Sequence, residues 1–196
     1  MSEFIVLRDG SEYFLDGREQ PAPSIEVIAH SLSLINRFSG HTIRPYSVAE
    51  HSCLCYALAV RNWPDLPPEA ALAVLLHDAA EAITGDLASP FKRTIGPEWK
   101  LLEYRIESQI LAHFGALEAT EEFLERITAC DLTALWLERR DLILLPPKGR
   151  TPWSILDTGF TPLNIGGLRI YRKESPWRFW RDLFLQHFAE LTKEVA

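Results

Sequence analysis

The chain has 196 residues, 47% of them hydrophobic and 24% charged, with a formal net charge of −7. That length suits one domain with one sizeable core. The acidic balance argues against a general nucleic-acid or anionic-membrane surface, while leaving room for a local basic pocket that takes a small phosphate ester. No apolar run approaches the roughly 18 residues of a membrane span. The stretch from Met1 to Asp9 has neither the basic start nor the long apolar run of a signal peptide. Cys53, Cys55 and Cys130 form no CxxC pair and no even-numbered framework. The chain therefore reads as cytoplasmic, with Cys53 and Cys55 as small buried hydrophobes.

Phe4 to Leu15 reads as a β-hairpin, because Asp9-Gly10 separates two β-prone apolar runs. Pro21 and Pro23 end it, and Ser24 is placed to cap a first helix from Ile25 to Phe38. Ile25, Ile28, Leu32 and Ile35 follow a helical period there. A loop from Ser39 to Tyr46 comes next. Ser47, with Glu50 three positions on, has the form of a capping box. It opens a second helix that carries His51 and runs to about Arg61, where Trp63-Pro64 and Pro67-Pro68 break it.

A third helix is expected from near Glu69 to Thr84-Gly85, carrying Leu72, Leu75, Leu76, His77, Asp78 and Glu81. Further helices are expected from Glu98 to Phe114 and from Glu121 to about Leu145, the latter ended by Pro146-Pro147. Residues 148–175 are rich in Gly, Pro and Thr, with a second hairpin expected through Phe160–Leu163 and Leu168–Tyr171 around Gly166-Gly167. A last amphipathic helix, Trp177 to about Glu194, sets Trp180, Phe184 and Phe188 on one face, to pack on the bundle or on a second subunit. The fold class is mainly α, a helical bundle with small β-hairpin additions. Residues 1–196 read as a single domain, with a core of about 25–145, an N-terminal hairpin 1–23 and a C-terminal extension 146–196.

The chemistry concentrates in Leu76-His77-Asp78-Ala79-Ala80-Glu81. Ionisable groups among Leu, Val and Ala cost several kcal/mol unless something pairs with them. A divalent metal is one such partner. Consecutive helical residues point about 100° apart, so His77 and Asp78 can straddle one ion, and Glu81 follows on the same face. His51 and Asp131 come from two other expected helices, and three bundle helices aiming side chains at one point is a recurrent way to build a metal site. Two imidazoles and two carboxylates suit Zn, Co, Mn or Fe without choosing among them. By itself a His-Asp pair is more often hydrogen-bonded without a metal; the recurrence of a whole pattern argues for the ion.

The order His51, His77-Asp78, Asp131 resembles the H…HD…D signature of the HD-domain metal-dependent phosphohydrolases. The likeness extends to Ile35-Asn36-Arg37-Phe38, to Glu50-His51-Ser52 and to Glu81 with Thr84-Gly85-Asp86-Leu87, and covers roughly residues 25–145. That fuller set resembles the HD-domain 5′-deoxynucleotidases and the phage deoxyadenosine-triphosphate triphosphohydrolases. The resemblance implies His51, His77, Asp78 and Asp131 as metal ligands, Glu81 as general acid/base and Arg37 as the phosphate-binding, charge-stabilising residue. It implies Asp86 at the sugar, and Phe38 where relatives carry a tryptophan that packs on the sugar and disfavours a 2′-hydroxyl. Lys92, in a loop after the active helix, could meet additional phosphates, and Arg44 and Tyr46 could touch a base or phosphate or simply pack their loop. His30 shares a helix face with Arg37 and is a weak candidate for the surroundings of the metal.

The implied reaction is hydrolysis of a (deoxy)nucleotide, a small-molecule substrate, with a 5′-nucleotidase releasing phosphate from deoxynucleoside monophosphates as the leading form. A triphosphohydrolase acting on deoxynucleoside triphosphates uses the same residues. A catalytically inactive binding or regulatory module, and a cyclic-nucleotide or guanosine-tetraphosphate hydrolase, are the competing readings. A homo-oligomer is implied by the resemblance, with the aromatic stripe of the last helix as local support.

Overall fold

The computed structural model describes residues 3–144, 151–171 and 173–195. The chain is mainly helical, with one two-stranded antiparallel sheet among the described residues. Strands β1 (Phe4–Val6) and β2 (Glu12–Phe14) pair with Ile5 opposite Tyr13. Gly10 takes φ 84° in the turn, a conformation glycine adopts without steric cost, and Asp9 Oδ1 accepts the Ser11 amide at 3.0 Å. The sheet is fastened to the helices by Tyr13, whose hydroxyl donates to Gln109 at 2.6 Å.

Helix α1 (Ile25–Leu34) begins where Ser24 Oγ accepts the Val27 amide, and it buries Val27, Ile28, Ala29 and Leu32. It stops four residues before the Phe38 end that periodicity suggested. The backbone of Ile35 and Asn36 turns extended and pairs with residues 46–48, where α2 (Val48–Asn62) begins: the Arg37 amide, opening a 3₁₀ turn Arg37–Gly40, donates to Tyr46 O at 2.9 Å and the Val48 amide to Ile35 O at 3.0 Å. Apolar spacing at Ile35 thus marked a partly buried strand-like crossing, since period alone does not separate the two over so few residues.

Helix α3 (Pro68–Leu76) ends at Leu76, and a short α4 (Glu81–Thr84) follows, so the expected single helix through Glu69–Gly85 is broken at His77-Asp78. Residues 77–80 close tighter bonds instead, Ala79 N–H to Leu76 O at 2.8 Å and Glu81 N–H to Asp78 O at 3.0 Å. Residues read as loop form α5 (Ser89–Ile95), in which Pro90 stands in the first turn where its missing amide hydrogen costs nothing. Then come α6 (Pro97–His113), α7 (Leu117–Glu122) and α8 (Leu124–Leu142).

After a one-turn α9 (Ser154–Asp157), residues 158–171 form no strand. The expected second hairpin is absent because this stretch spends its polar backbone on helices. Leu163 N–H donates to Thr133 Oγ1, Asn164 N–H to Asn62 Oδ1 and Ile170 N–H to Asp141 Oδ2. The last helix, α10 (Trp177–Val195), packs against α1, α2 and α3. Its aromatic stripe therefore faces the bundle: Phe184 is fully buried, and Trp180 and Phe188 are partly so. Burying a side chain of that size contributes about 1.5–3 kcal/mol. Helices α2, α3 and α8 meet one another at the centre, which is where the polar cluster lies. No helix among the described residues is long and apolar enough to cross a membrane.

Candidate metal centre

Three elements bring the expected ligands together. His51 stands in the first turn of α2 and is fully buried, His77 and Asp78 occupy the break between α3 and α4, and Asp131 lies on α8. Around His51 Nε2 the other donors are close: His77 Nε2 at 3.2 Å, Asp131 Oδ1 at 3.3 Å and Asp78 Oδ2 at 3.4 Å. His77 Nε2 and Asp78 Oδ2 are themselves 3.4 Å apart.

Tautomers follow from the outer nitrogens. His77 Nδ1 donates to Val74 O at 2.8 Å, and His51 Nδ1 donates to Glu138 Oε1 at 2.6 Å. With both Nδ1 atoms serving as donors, two Nε2 lone pairs face each other at 3.2 Å, which only an intervening proton or cation relieves. Burial and Arg37 oppose an imidazolium at His51, and Cys55, Glu138 and Asp131 outweigh them to hold its pKa well above the ordinary histidine value. Partial burial of Asp131 is likewise outweighed by its hydrogen bond to His51, which holds its carboxyl below the usual range.

The donor set fits a divalent metal. Bond lengths of 2.0–2.1 Å in a tetrahedral arrangement place ligand nitrogens and oxygens about 3.3 Å apart, close to the 3.2–3.4 Å separations here. His51, Cys55 and His77 form a group that could hold an ion, their donor atoms all lying within 4.8 Å of one another. Cys55, one helical turn after His51, puts Sγ 3.5 Å from His51 Nε2, and burial pushes its thiol up to about 11.

Arg37 is drawn into this cluster. Its Nη1 donates to Asp78 Oδ2 at 3.2 Å and its Nη2 to Glu138 Oε2 at 3.4 Å, while its buried Nε has no partner. Burial disfavours the guanidinium charge, and the carboxylates of Glu138, Asp78 and Glu81 more than offset this. Phe38 and Ser39 both hold left-handed backbone, φ 56° and 51°, which costs an L-residue about 1–2 kcal/mol each. What holds Phe38 there is visible. Asp86 Oδ2 accepts its amide at 3.1 Å, and the Trp153 ring stacks on its ring with centroids 6.3 Å apart. Trp153 is itself held by Arg139, which lies over its ring and pairs with Asp157 at 2.9 Å.

Glu81 is buried beside this group with Oε2 unpartnered, and Lys92 Nζ stands 3.6 Å from its other oxygen. Burial, then the charges of Asp78 and Asp86, raise the Glu81 pKa well above the usual range. Lys92 is tied more closely to Glu103, at 2.6 Å. Burial pushes the Glu107 carboxyl up to about 7, with Asp78 and Glu103 adding to it.

Other candidates lie outside. His30 packs edge-on against Trp177, not toward the cluster. His41 and His113 are exposed, and His187 packs on Tyr56. Arg44 is buried in a two-pronged pair with Glu50, at 2.7 and 2.9 Å, and also donates to Tyr171 O, so it packs its loop. Tyr46 is fully buried as well. Ser47 caps α2 as expected, accepting the Glu50 amide at 3.2 Å, but the Glu50 carboxylate serves Arg44 rather than completing a capping box.

Two residues of the site went unread in the sequence, Glu138 and Cys55. Each had a helical signal: Glu138 is seven residues after Asp131, two turns along one face, and Cys55 is four after His51.

No protein-family model matches the chain. Over 139 residues it is 36% identical to the uncharacterized protein YfdR of Escherichia coli strain K12, covering 71% of this chain and 72% of that one. It is also 36% identical over 121 residues to an uncharacterized protein of Rhodobacter capsulatus, covering 60% and 62% of the two chains. Neither name states an activity.

Proposed function

The chain belongs to the family of YfdR, and because that name carries no activity we propose one from the site: a metal-dependent phosphohydrolase of HD-domain type acting on nucleotides. The substrate of choice is a deoxynucleoside 5′-monophosphate, cleaved to nucleoside and phosphate. The observation that carries the reading is the position of Arg37. Its guanidinium lies at 3.2 Å from Asp78, beside the facing histidines, with Glu138 and Glu81 adding to the charge that holds it. An arginine at a metal-ready cluster is the arrangement that grips a phosphoryl group.

His51, His77, Asp78 and Asp131 would hold the ion. A divalent metal bound there lowers the pKa of water and polarises a phosphoryl oxygen. Arg37 exchanges its carboxylate partners for phosphate oxygens and balances the charge that builds on them. As water oxygen bonds to phosphorus and the bond to the 5′-oxygen breaks, Glu81 gives its proton to the leaving oxygen and is reprotonated by the proton the attacking water sheds. Asp86 and Phe38 form the sugar side of the pocket.

Lys92 favours the monophosphate over the triphosphate, since its ammonium is committed to Glu103 and Glu81 and is not held out for a longer phosphate chain. Three free, buried cysteines fit the reducing cytoplasm as the place of work. The test is product analysis with metal-reconstituted protein across mono- and triphosphates of ribo- and deoxyribonucleosides. Phosphate from deoxynucleoside monophosphates is expected. Intact triphosphate would move the reading to the triphosphohydrolase, and no turnover with any divalent metal would overturn it.

A further inference from the structure

Cys55 is a feature of the site that the hydrolase reading leaves unused. Its thiol does not sit behind the His51 ring, where Nδ1 is taken by Glu138. It sits at the Nε2 edge, 3.5 Å away, on the side that faces His77. Tetrahedral bonds of about 2.05 Å to nitrogen and 2.3 Å to sulfur set those atoms roughly 3.5–3.6 Å apart. The observed sulfur–nitrogen separation matches that edge as the 3.2 Å nitrogen pair matches its own. Cys55 is fully buried and its position is fixed by the middle of α2, so no loop has to move to deliver it.

Resting on the reading of this cluster as a metal centre, we propose that Cys55 is a thiolate ligand of the ion with His51 and His77, taking the place of one of the two carboxylates assigned to it above so that the set stays four-coordinate. On binding, the thiol gives up its proton to solvent and a sulfur–metal bond forms, with no change of oxidation state. A soft sulfur among imidazoles and carboxylates then draws the centre toward zinc or cobalt and away from magnesium or manganese.

Anaerobic cobalt titration of the metal-free full chain, followed by absorption, tests this. A near-ultraviolet sulfur-to-cobalt charge-transfer band is expected in the wild type and in Cys53→Ser, whose thiol is not among the clustered donors. The band is expected to vanish in Cys55→Ser and in Cys55→Ala. Zinc affinity in those variants, from chelator competition, should fall at least tenfold, about the scale of losing a group that supports a metal, with manganese affinity little changed. Two variants are used so that one folding failure, seen by thermal unfolding, does not decide the result.

Cobalt uptake without the band, or a band that survives Cys55→Ser, overturns the proposal. No specific uptake, with wild type and His51→Ala alike, overturns the metal centre and the proposal with it. Cobalt uptake with the band but no nucleotide turnover leaves Cys55 a ligand and overturns only the hydrolase reading.

Discussion

Glu138 accepts a hydrogen bond from His51 Nδ1 at 2.6 Å with the other oxygen 3.4 Å from Arg37, both carboxylate oxygens fully buried in the bundle. One side chain thereby fixes both the tautomer of His51 and the position of Arg37. Its charge persists against burial because Arg37 and His51 hold its pKa down. Glu138→Gln is expected to weaken zinc binding about 10–100-fold, the range for groups that orient metal ligands. Chelator competition measures this, and an unchanged zinc Kd would show that His51 needs no such support.

Glu81→Gln keeps the shape of the side chain and removes its transferable proton. Turnover is expected to fall about 10²–10⁴-fold, with KM within a few-fold of the wild type. Since the raised carboxyl works in its protonated form, wild-type kcat should decline as pH rises through the Glu81 pKa. A kcat profile flat across the whole pH range of stability, reproduced by Glu81→Gln, would remove the proton-donor role.

Glu107 gives a stability prediction for the metal-free protein. Its folded-state pKa, about 7, lies above that of the unfolded chain, so the folded state binds the extra proton. That advantage is complete below the ordinary carboxyl pKa and is lost progressively as pH rises toward 7. Glu107→Gln removes the loss. After allowing for its partial exposure, the variant should gain about 1–2 kcal/mol over the wild type at pH 8 and roughly a quarter of that at pH 5. Denaturant unfolding at the two pH values checks this; an equal gain at both would point to packing rather than charge.

The backbone at Phe38 and Ser39 carries the next expectation. Ser39 is exposed at φ 51°, so Ser39→Gly relieves strain at small cost and should add up to about 1 kcal/mol, or roughly 2–4 °C in Tm. Trp153→Ala removes the ring stacked on Phe38 and is expected to raise KM more than it lowers kcat, and to narrow any preference between deoxy and ribo substrates. Trp153→Phe should restore most of both. Equal losses in kcat for every substrate would place Trp153 outside the sugar pocket.

How the chain makes this site was legible where helical spacing and turn chemistry act locally. Asp9-Gly10, Ser24 and Ser47 marked the hairpin and two helix starts, and His51, His77, Asp78 and Asp131 do converge. Spacing failed where tertiary pairing overrode it. The α1 period runs on through Ile35, but the bonds of Ile35 and Arg37 to residues 46–48 stop the helix. The break at His77 was hidden because 3₁₀-type bonds keep apolar residues nearly in helical phase. Glycines 166 and 167 suggested a hairpin, yet the backbone on either side is claimed by Asn62, Thr133 and Asp141, partners 29 to 102 residues distant. Glu138 passed unnoticed since a carboxylate near a helix end reads as solvated until its burial is known.

Helix α10 completes walls whose other members, α1 and α3, are made more than a hundred residues earlier. On the ribosome, the groove that receives Phe184 therefore stands open and apolar until residue 195 has cleared the exit tunnel. The nascent chain has helices but no closed interior through most of its synthesis, a state prone to sticking to its neighbours. Final closure waits on the slow step of bringing distant segments together.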